Sequence, residues 1–246
     1  MVDQAEGLRR RQKDVWTLSV LAVSGQRSSA EFARGMFMAW KTLGASPLLV
    51  DSGGSSARSL LDCHLLHEWG AASGKPFKDC ILVHDGRAAI VAIGCPAGDA
   101  TVVTEAVGQG YRELIFDAGE MHVDDDVPIN AMIAQEVLLL ASPTQLETVY
   151  MLLKGLDQVR SPARIWLLWN GECEESKRLM QVCNERLHRS PCFLDEATLS
   201  RSGHASKRNG LSTPLQDNDF LGIVTRMVLK RSVGGEETPC RTKCHA

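Results

Sequence analysis

The feature that most constrains this chain is a repeated alternation of short, nearly continuous apolar runs with longer segments of helical spacing. Trp16–Ser24 reads Trp-Thr-Leu-Ser-Val-Leu-Ala-Val-Ser, which predicts a strand covered on both faces. It runs into the turn Gly25-Gln-Arg-Ser-Ser. Ala30–Leu43 then places Phe32, Met36, Ala39, Trp40 and Leu43 at helical spacing, with Gly44 as the C-terminal cap. Pro47–Asp51 predicts a second buried strand, ending in a carboxylate. Strand, turn, helix and strand in succession form a βαβ unit, whose crossover is expected to be right-handed.

The alternation continues to the far end. Ser59–Trp69 and Thr101–Gly108 are expected to be helical, while Cys80–His84 and Ala88–Ile93 read as short strands around the turn Asp85-Gly86. Glu113–Asp117 predicts a strand ending in another aspartate, followed by Ala118-Gly119. Further strands are expected at Glu136–Ala141, Arg164–Asn170 and Cys192–Asp195, and helices at Pro143–Leu156, Glu174–His188 and Asp219–Arg231. The expected fold class is α/β: a doubly wound, mostly parallel sheet with helices on both faces. A single domain over residues 15–231 is expected, between an N-terminal segment (1–14) and a tail (232–246).

Composition narrows the function classes without choosing one. Hydrophobic residues make up 44% of the 246 residues and charged residues 23%, which excludes wholesale disorder. Lys+Arg 27 against Asp+Glu 30 gives a net charge of −3, so no global basic field is present for nucleic acid. The N-terminal residues carry no signal-peptide pattern, and the longest apolar runs, such as Val137–Ala141, are strand-sized. The chain is therefore expected in the reducing cytoplasm. Cys63, Cys80, Cys95, Cys173, Cys183 and Cys192 stand singly, without zinc-site spacing. Cys240, Cys244 and His245 gather in the tail but lack a fourth ligand nearby, so a solvated tail with reduced thiols, and no metal, is expected.

In an open parallel sheet, ligands bind at the carboxyl ends of the strands near the point where strand order reverses. A strand, a glycine-bearing turn at Ser24-Gly25 and a helix form the layout of a phosphate-binding loop. Asp51 and Asp117 fall where a magnesium ion and an attacking water would be held. The same two carboxylates would serve equally as caps for the turns that follow them.

The order Leu-Ala-Val-Ser-Gly25, Leu-Leu-Val-Asp51 and Leu-Ile-Phe-Asp117-Ala-Gly119 resembles the MinD/ParA class of P-loop ATPases, and Asn170 falls where that class sets an asparagine against adenine. Within the class the chain is most similar to flagellar number regulators of the FlhG/FleN type. The stretch Asp3-Gln4-Ala5-Glu6-Gly7-Leu8-Arg9 resembles their N-terminal DQAxxLR signature. Ala134–Leu140 leading into Pro143-Thr144, and the spacing within Gly74–Gly98, follow the same family. The resemblance implies a MinD-like P-loop fold. It also exposes departures from the family loop KGGxGK[ST]. Both lysine positions are lost, at Gln26 and Glu31; the glycines become Arg27, Ser28 and Ala30; the magnesium-binding hydroxyl becomes Phe32. Side chains at glycine positions obstruct the backbone cradle for phosphate. A carboxylate about 4 Å from a phosphate charge costs about 4 kcal/mol at an effective dielectric of 20. Gly25, Asp51, Asp117 and Asn170 are thus expected to mark a vestigial nucleotide site with no catalytic residue, no cofactor, and any ATP binding weakened.

The resemblance further implies that residues 3–13 dock on the signal-recognition-type flagellar GTPase (FlhF-like) and stimulate GTP hydrolysis. Asp3 can cap a short helix in which Ala5 and Leu8 share a face, with Gln4 beside Leu8 and Arg9 opening a basic end. So short a helix is marginal alone and is expected to order on a partner. A glutamine amide can orient an attacking water, the role implied for Gln4. Two alternatives stay open: a nucleotide-switched ATPase, and a scaffold or antiactivator that binds a flagellar transcriptional activator. Family members often end in a membrane-binding amphipathic helix. Here Phe220, Leu221, Ile223, Val224, Met227 and Val228 are expected to pack on the sheet instead, and recruitment to the cell pole or the inner membrane face stays open. Trp166 and Trp169 are expected in the core.

Overall fold

The computed structural model describes residues 15–23, 28–52, 56, 69–70, 74–85, 88–93, 99–161, 163–169, 173–187, 191–195, 222–225 and 227. In chain order the elements are β1 (Trp16–Val23), α1 (Ser29–Thr42), β2 (Leu48–Asp51), the short helix α2 (Phe77–Cys80), β3 (Leu82–Asp85), β4 (Ala88–Ala92) and α3 (Asp99–Gly108). There follow β5 (Glu113–Met121), α4 (Ile129–Ile133), β6 (Glu136–Ala141), a 3-10 turn (Pro143–Gln145), α5 (Leu146–Gln158), β7 (Arg164–Trp169), α6 (Cys173–Arg186) and β8 (Cys192–Asp195). The strands form one sheet in the order β3-β4-β2-β5-β1-β6-β7-β8. Only the β3–β4 pair is antiparallel among the described strands.

The continuous apolar strands follow from burial on both faces. All eight residues of β1 are buried. Leu18, Val20 and Ala22 meet Phe32, Met36 and Phe37 of α1, together with Ile223, Val224 and Met227. Leu21 and Val23 point the other way, toward Val149, Leu152, Leu153 and Leu156 of α5 and Leu179 and Cys183 of α6. Alternate residues of one strand therefore enter opposite core layers, as the pleat requires. Val102 and Ala106 of α3 cover the outer strands from the side opposite α1, over Val50, Val91 and Phe116. The expected α/β fold, doubly wound with helices on both faces, is what forms.

Four details differ from the sequence reading. β5 does not end at Asp117; it continues to Met121 through a register step opposite Val20–Ala22. Gly119, at φ +83°, takes the left-handed conformation that lets the bulged strand resume its pairing with β1. Trp69 does not close a helix: it pairs with Ile93 as an isolated parallel bridge, its N–H donating to the Ala92 carbonyl at 2.8 Å. Most of the helix expected over 59–69 lies outside the described residues. Pro143 opens a 3-10 turn rather than α5 itself, because the Gln145 side chain folds back to accept from the Ser142 N–H at 3.0 Å. Helices α2 and α4 were not anticipated; both are single turns that open after a proline, Pro76 and Pro128. As expected, Trp166 is core, its indole N–H donating to Glu136 at 3.1 Å, and Ile223, Val224 and Met227 pack on the sheet. Among the described residues no helix is long and apolar enough to cross a membrane.

Candidate functional site

Strand order reverses at β1, which is flanked by β5 on one side and β6 on the other. The chain leaves β1 for β2 on one side and later crosses from β5 to β6 on the other. This is the switch point at which α/β sheets of this type open a crevice at their carboxyl edge. Three chain segments meet there, and each is positioned by its strand.

The first is the start of α1. Ser28, in extended backbone, precedes the helix, and its carbonyl accepts from the Phe32 N–H at 3.3 Å. Ser29 is buried in the first turn, Glu31 is exposed beside it, and Phe32 turns into the core. The second is the carboxyl end of β2, where Asp51 is buried and in register with Asp117 of β5. The third is Asp117 itself, which is wholly buried.

Asp117 holds these segments together. Its Oδ1 accepts from the Ser29 hydroxyl at 2.7 Å and from the Gly119 N–H at 3.3 Å. Its Oδ2 accepts from the Ser56 N–H at 3.0 Å, and its backbone carbonyl accepts from the Ser52 N–H at 3.0 Å. Burial pushes the Asp117 carboxyl above the usual aspartate range. The hydrogen bonds from Ser29 and Ser56 pull it back, the neighbouring Asp51 raises it again, and the Gly119 amide lowers it. The positive end of the α1 dipole also lies on this side of the carboxylate, which favours negative charge there. On the other flank of β1, Gln145 Nε2 donates to the Val23 carbonyl at 3.0 Å and fixes the strand's end to the turn before α5.

Of the residues expected at the site, the structure brings Asp51 and Asp117 side by side. Gly25 and Asn170 lie outside the described residues, as do Gln26 and Arg27 of the loop, Asp3, Gln4, Ala5, Leu8 and Arg9 of the N-terminal segment, and Cys240, Cys244 and His245 of the tail. Among the described residues no cluster of three or more His, Cys, Asp or Glu side chains is arranged to hold a metal. The hydroxyl facing Asp117 comes from Ser29, three positions before Phe32, where the sequence reading placed the lost hydroxyl. Ser29 and Ser56 were both missed. The available signal for Ser29 was the Ser28-Ser29 pair directly ahead of a helical apolar period, a common helix-start signature.

No family model and no curated protein sequence matches the chain. Solved structures do. MinD of Pyrococcus furiosus aligns with a TM-score of 0.58 at 12% identity, covering 86% of this chain and 99% of that one. MinD of Pyrococcus horikoshii, solved with Mg-ADP, gives 0.53 at 16% identity over 77% and 84% of the two chains. A plasmid partition protein of Borrelia burgdorferi gives 0.53 at 10% identity over 87% and 99%. The structural neighbours are thus MinD and ParA-type P-loop ATPases, and the chain has the MinD-like P-loop α/β fold.

Proposed function

We propose that this protein is a regulator of flagellar number or placement of the FlhG/FleN type, whose MinD-like domain serves as a protein-binding platform and no longer hydrolyses ATP. In this reading residues 3–13 bind and stimulate the signal-recognition-type flagellar GTPase. Asp3, Ala5, Leu8 and Arg9 seat the segment, and Gln4 orients the attacking water. A pole-localised or membrane-bound partner would then set where the protein acts.

The observation that carries the domain part of this reading is the start of α1. A nucleoside triphosphate at the switch point needs a cation near the first helical turn. The described residues put the exposed carboxylate of Glu31 there instead, and that negative charge supports the reading that the site does not take magnesium-nucleotide. The partner part rests on the resemblance of Asp3–Arg9 to the DQAxxLR signature.

The test is phosphate release from the partner GTPase with a peptide of residues 1–14. The native peptide is expected to accelerate hydrolysis and a Gln4→Ala peptide to lose that effect. Equal behaviour of the two peptides would overturn the role of Gln4. A protein truncated before residue 15 that retains full cellular function would favour the scaffold or antiactivator reading instead.

A further inference from the structure

We infer that the outer edge of β3 is a self-association surface, on which a second copy of this chain pairs antiparallel about a two-fold axis at Val83. The surface lies away from the switch point, and its use does not depend on the function proposed above. β3 is the outermost strand on its side of the sheet among the described strands. The Ala89 N–H donates to the Pro47 carbonyl, so Ala89 turns its backbone toward β2. The Ala92 carbonyl, of opposite parity in β4, accepts from the Trp69 N–H on the other side. Ile90 therefore faces β3 and bonds its partner Leu82. Val83, opposite Ala89, turns its N–H and C=O away from the sheet.

The side chains on this edge are apolar and uncovered. Val83 is 57% exposed, the most of any large hydrophobic among the described residues, and Leu82 is 36% exposed. Leu82 and His84 lie on the α1 face, where the His84 ring meets Phe37 at 5.9 Å between centroids. Val83 lies on the opposite face with Ala89. Edge strands that stay unpaired are commonly blunted by lysine or proline, and Leu82, Val83 and His84 supply neither. A second β3 complements this edge. A two-fold axis perpendicular to the sheet preserves its faces, so residues opposite each other share a face. With Val83 on the axis, the two Val83 residues exchange both N–H···O bonds, and Leu82 of each copy lies about 4.5–5.5 Å, Cβ to Cβ, from His84 of the other. Both exposed apolar side chains are covered at once. An axis at Ile81 or Asp85 would instead set Val83 against Asp79 of α2 or against residue 87 beyond the strand. A net charge of −3 opposes association only weakly. The register step between Val83 and Asp85 keeps the paired stretch short, which gives a small, reversible dimer with a Kd on the order of 10–100 µM.

The test is sedimentation equilibrium of the full chain, without nucleotide, from about 5 to 500 µM so as to bracket that Kd, joined to hydrogen exchange at the Val83 amide. The weight-average mass of the wild type is expected to rise toward twice the monomer's. Over the same range Val83 exchange is expected to slow several-fold, while the Leu82 amide, already facing Ile90, keeps its rate. Val83→Lys puts like charges together on the axis and is expected to stay monomeric with an unchanged circular dichroism spectrum. Val83→Thr, β-branched and uncharged, is expected to keep the dimer. A wild type that is monomeric at every concentration would overturn the inference. A dimer that survives Val83→Lys, or that forms without slowing Val83 exchange, would lie elsewhere on the molecule and overturn it as well. Failure of the peptide to stimulate the GTPase bears on the partner reading alone and leaves these outcomes as they stand.

Discussion

Replacing Asp117 by asparagine removes a buried titratable group while keeping its shape, and the stability difference between the two proteins should depend on pH in a fixed direction. Desolvation, then Asp51, raises the Asp117 carboxyl against the pull of its donors. The folded protein therefore binds this proton more tightly than the unfolded chain, whose aspartates titrate near about 3.9. Between the two values the folded state carries more protons, so stability falls as pH rises. Each unit by which the folded value is raised removes about 1.4 kcal/mol once pH has passed it. Asparagine lacks this dependence. Its carbonyl can still accept from Ser29, but its amide would face the Ser56 N–H, an offset of roughly 1–3 kcal/mol that does not vary with pH. Urea denaturation of both proteins from pH 4 to pH 8 provides the assay. The wild type's advantage should be largest near pH 4 and shrink toward neutrality. A flat difference, or one that grows with pH, would refute the reasoning.

Other sites give independent checks. Gly155 lies inside α5, where alanine ordinarily stabilises a helix, yet a Cβ there would overlap a methyl of Val127. Gly155→Ala should therefore lose roughly 1–3 kcal/mol in urea titration, and in a Val127→Ala background the same change should stabilise. Arg160 ends the α5 turn at φ +51°, so Arg160→Gly should gain roughly 1 kcal/mol and raise Tm by about 2–4 °C in calorimetry. Burial pushes the Cys183 thiol up to about 11. It should stay unmodified by iodoacetamide at pH 8 in the folded protein and react only after denaturation.

The fold was legible because β1, β6 and the inner strands are buried on both faces and so read as unbroken apolar runs, while α1 and α5 carry a helical period that matches their buried faces. Cys192–Asp195 came out to the residue. What sequence could not supply was the behaviour of backbone at the switch point. Glu113–Asp117 looks like a strand that stops at its acid. The bulge that carries it on to Met121 depends on Gly119 adopting positive φ while β1 supplies the pairing, a tertiary effect with no local period. The pairing of Asp51 with Asp117 could be suspected from two strands ending alike. The recruitment of Ser29 could not, because a hydroxyl aimed at a residue 88 positions away leaves only the ambiguous trace of a helix-start serine. Aligning the loop to a family pattern position by position drew attention to Phe32, whereas the helix begins earlier and sends Phe32 into the core.

The central proposal, that the switch point of this MinD-like domain no longer takes nucleotide, is tested most directly by thermal denaturation with and without millimolar Mg-ATP. Ligand at 100 times its Kd would add about 2.7 kcal/mol. For a protein of this size that raises Tm by roughly 5–11 °C. The account predicts no change in Tm and no phosphate release from ATP. A rise of several degrees that Asp117→Asn abolishes would contradict it and restore the nucleotide-switched ATPase.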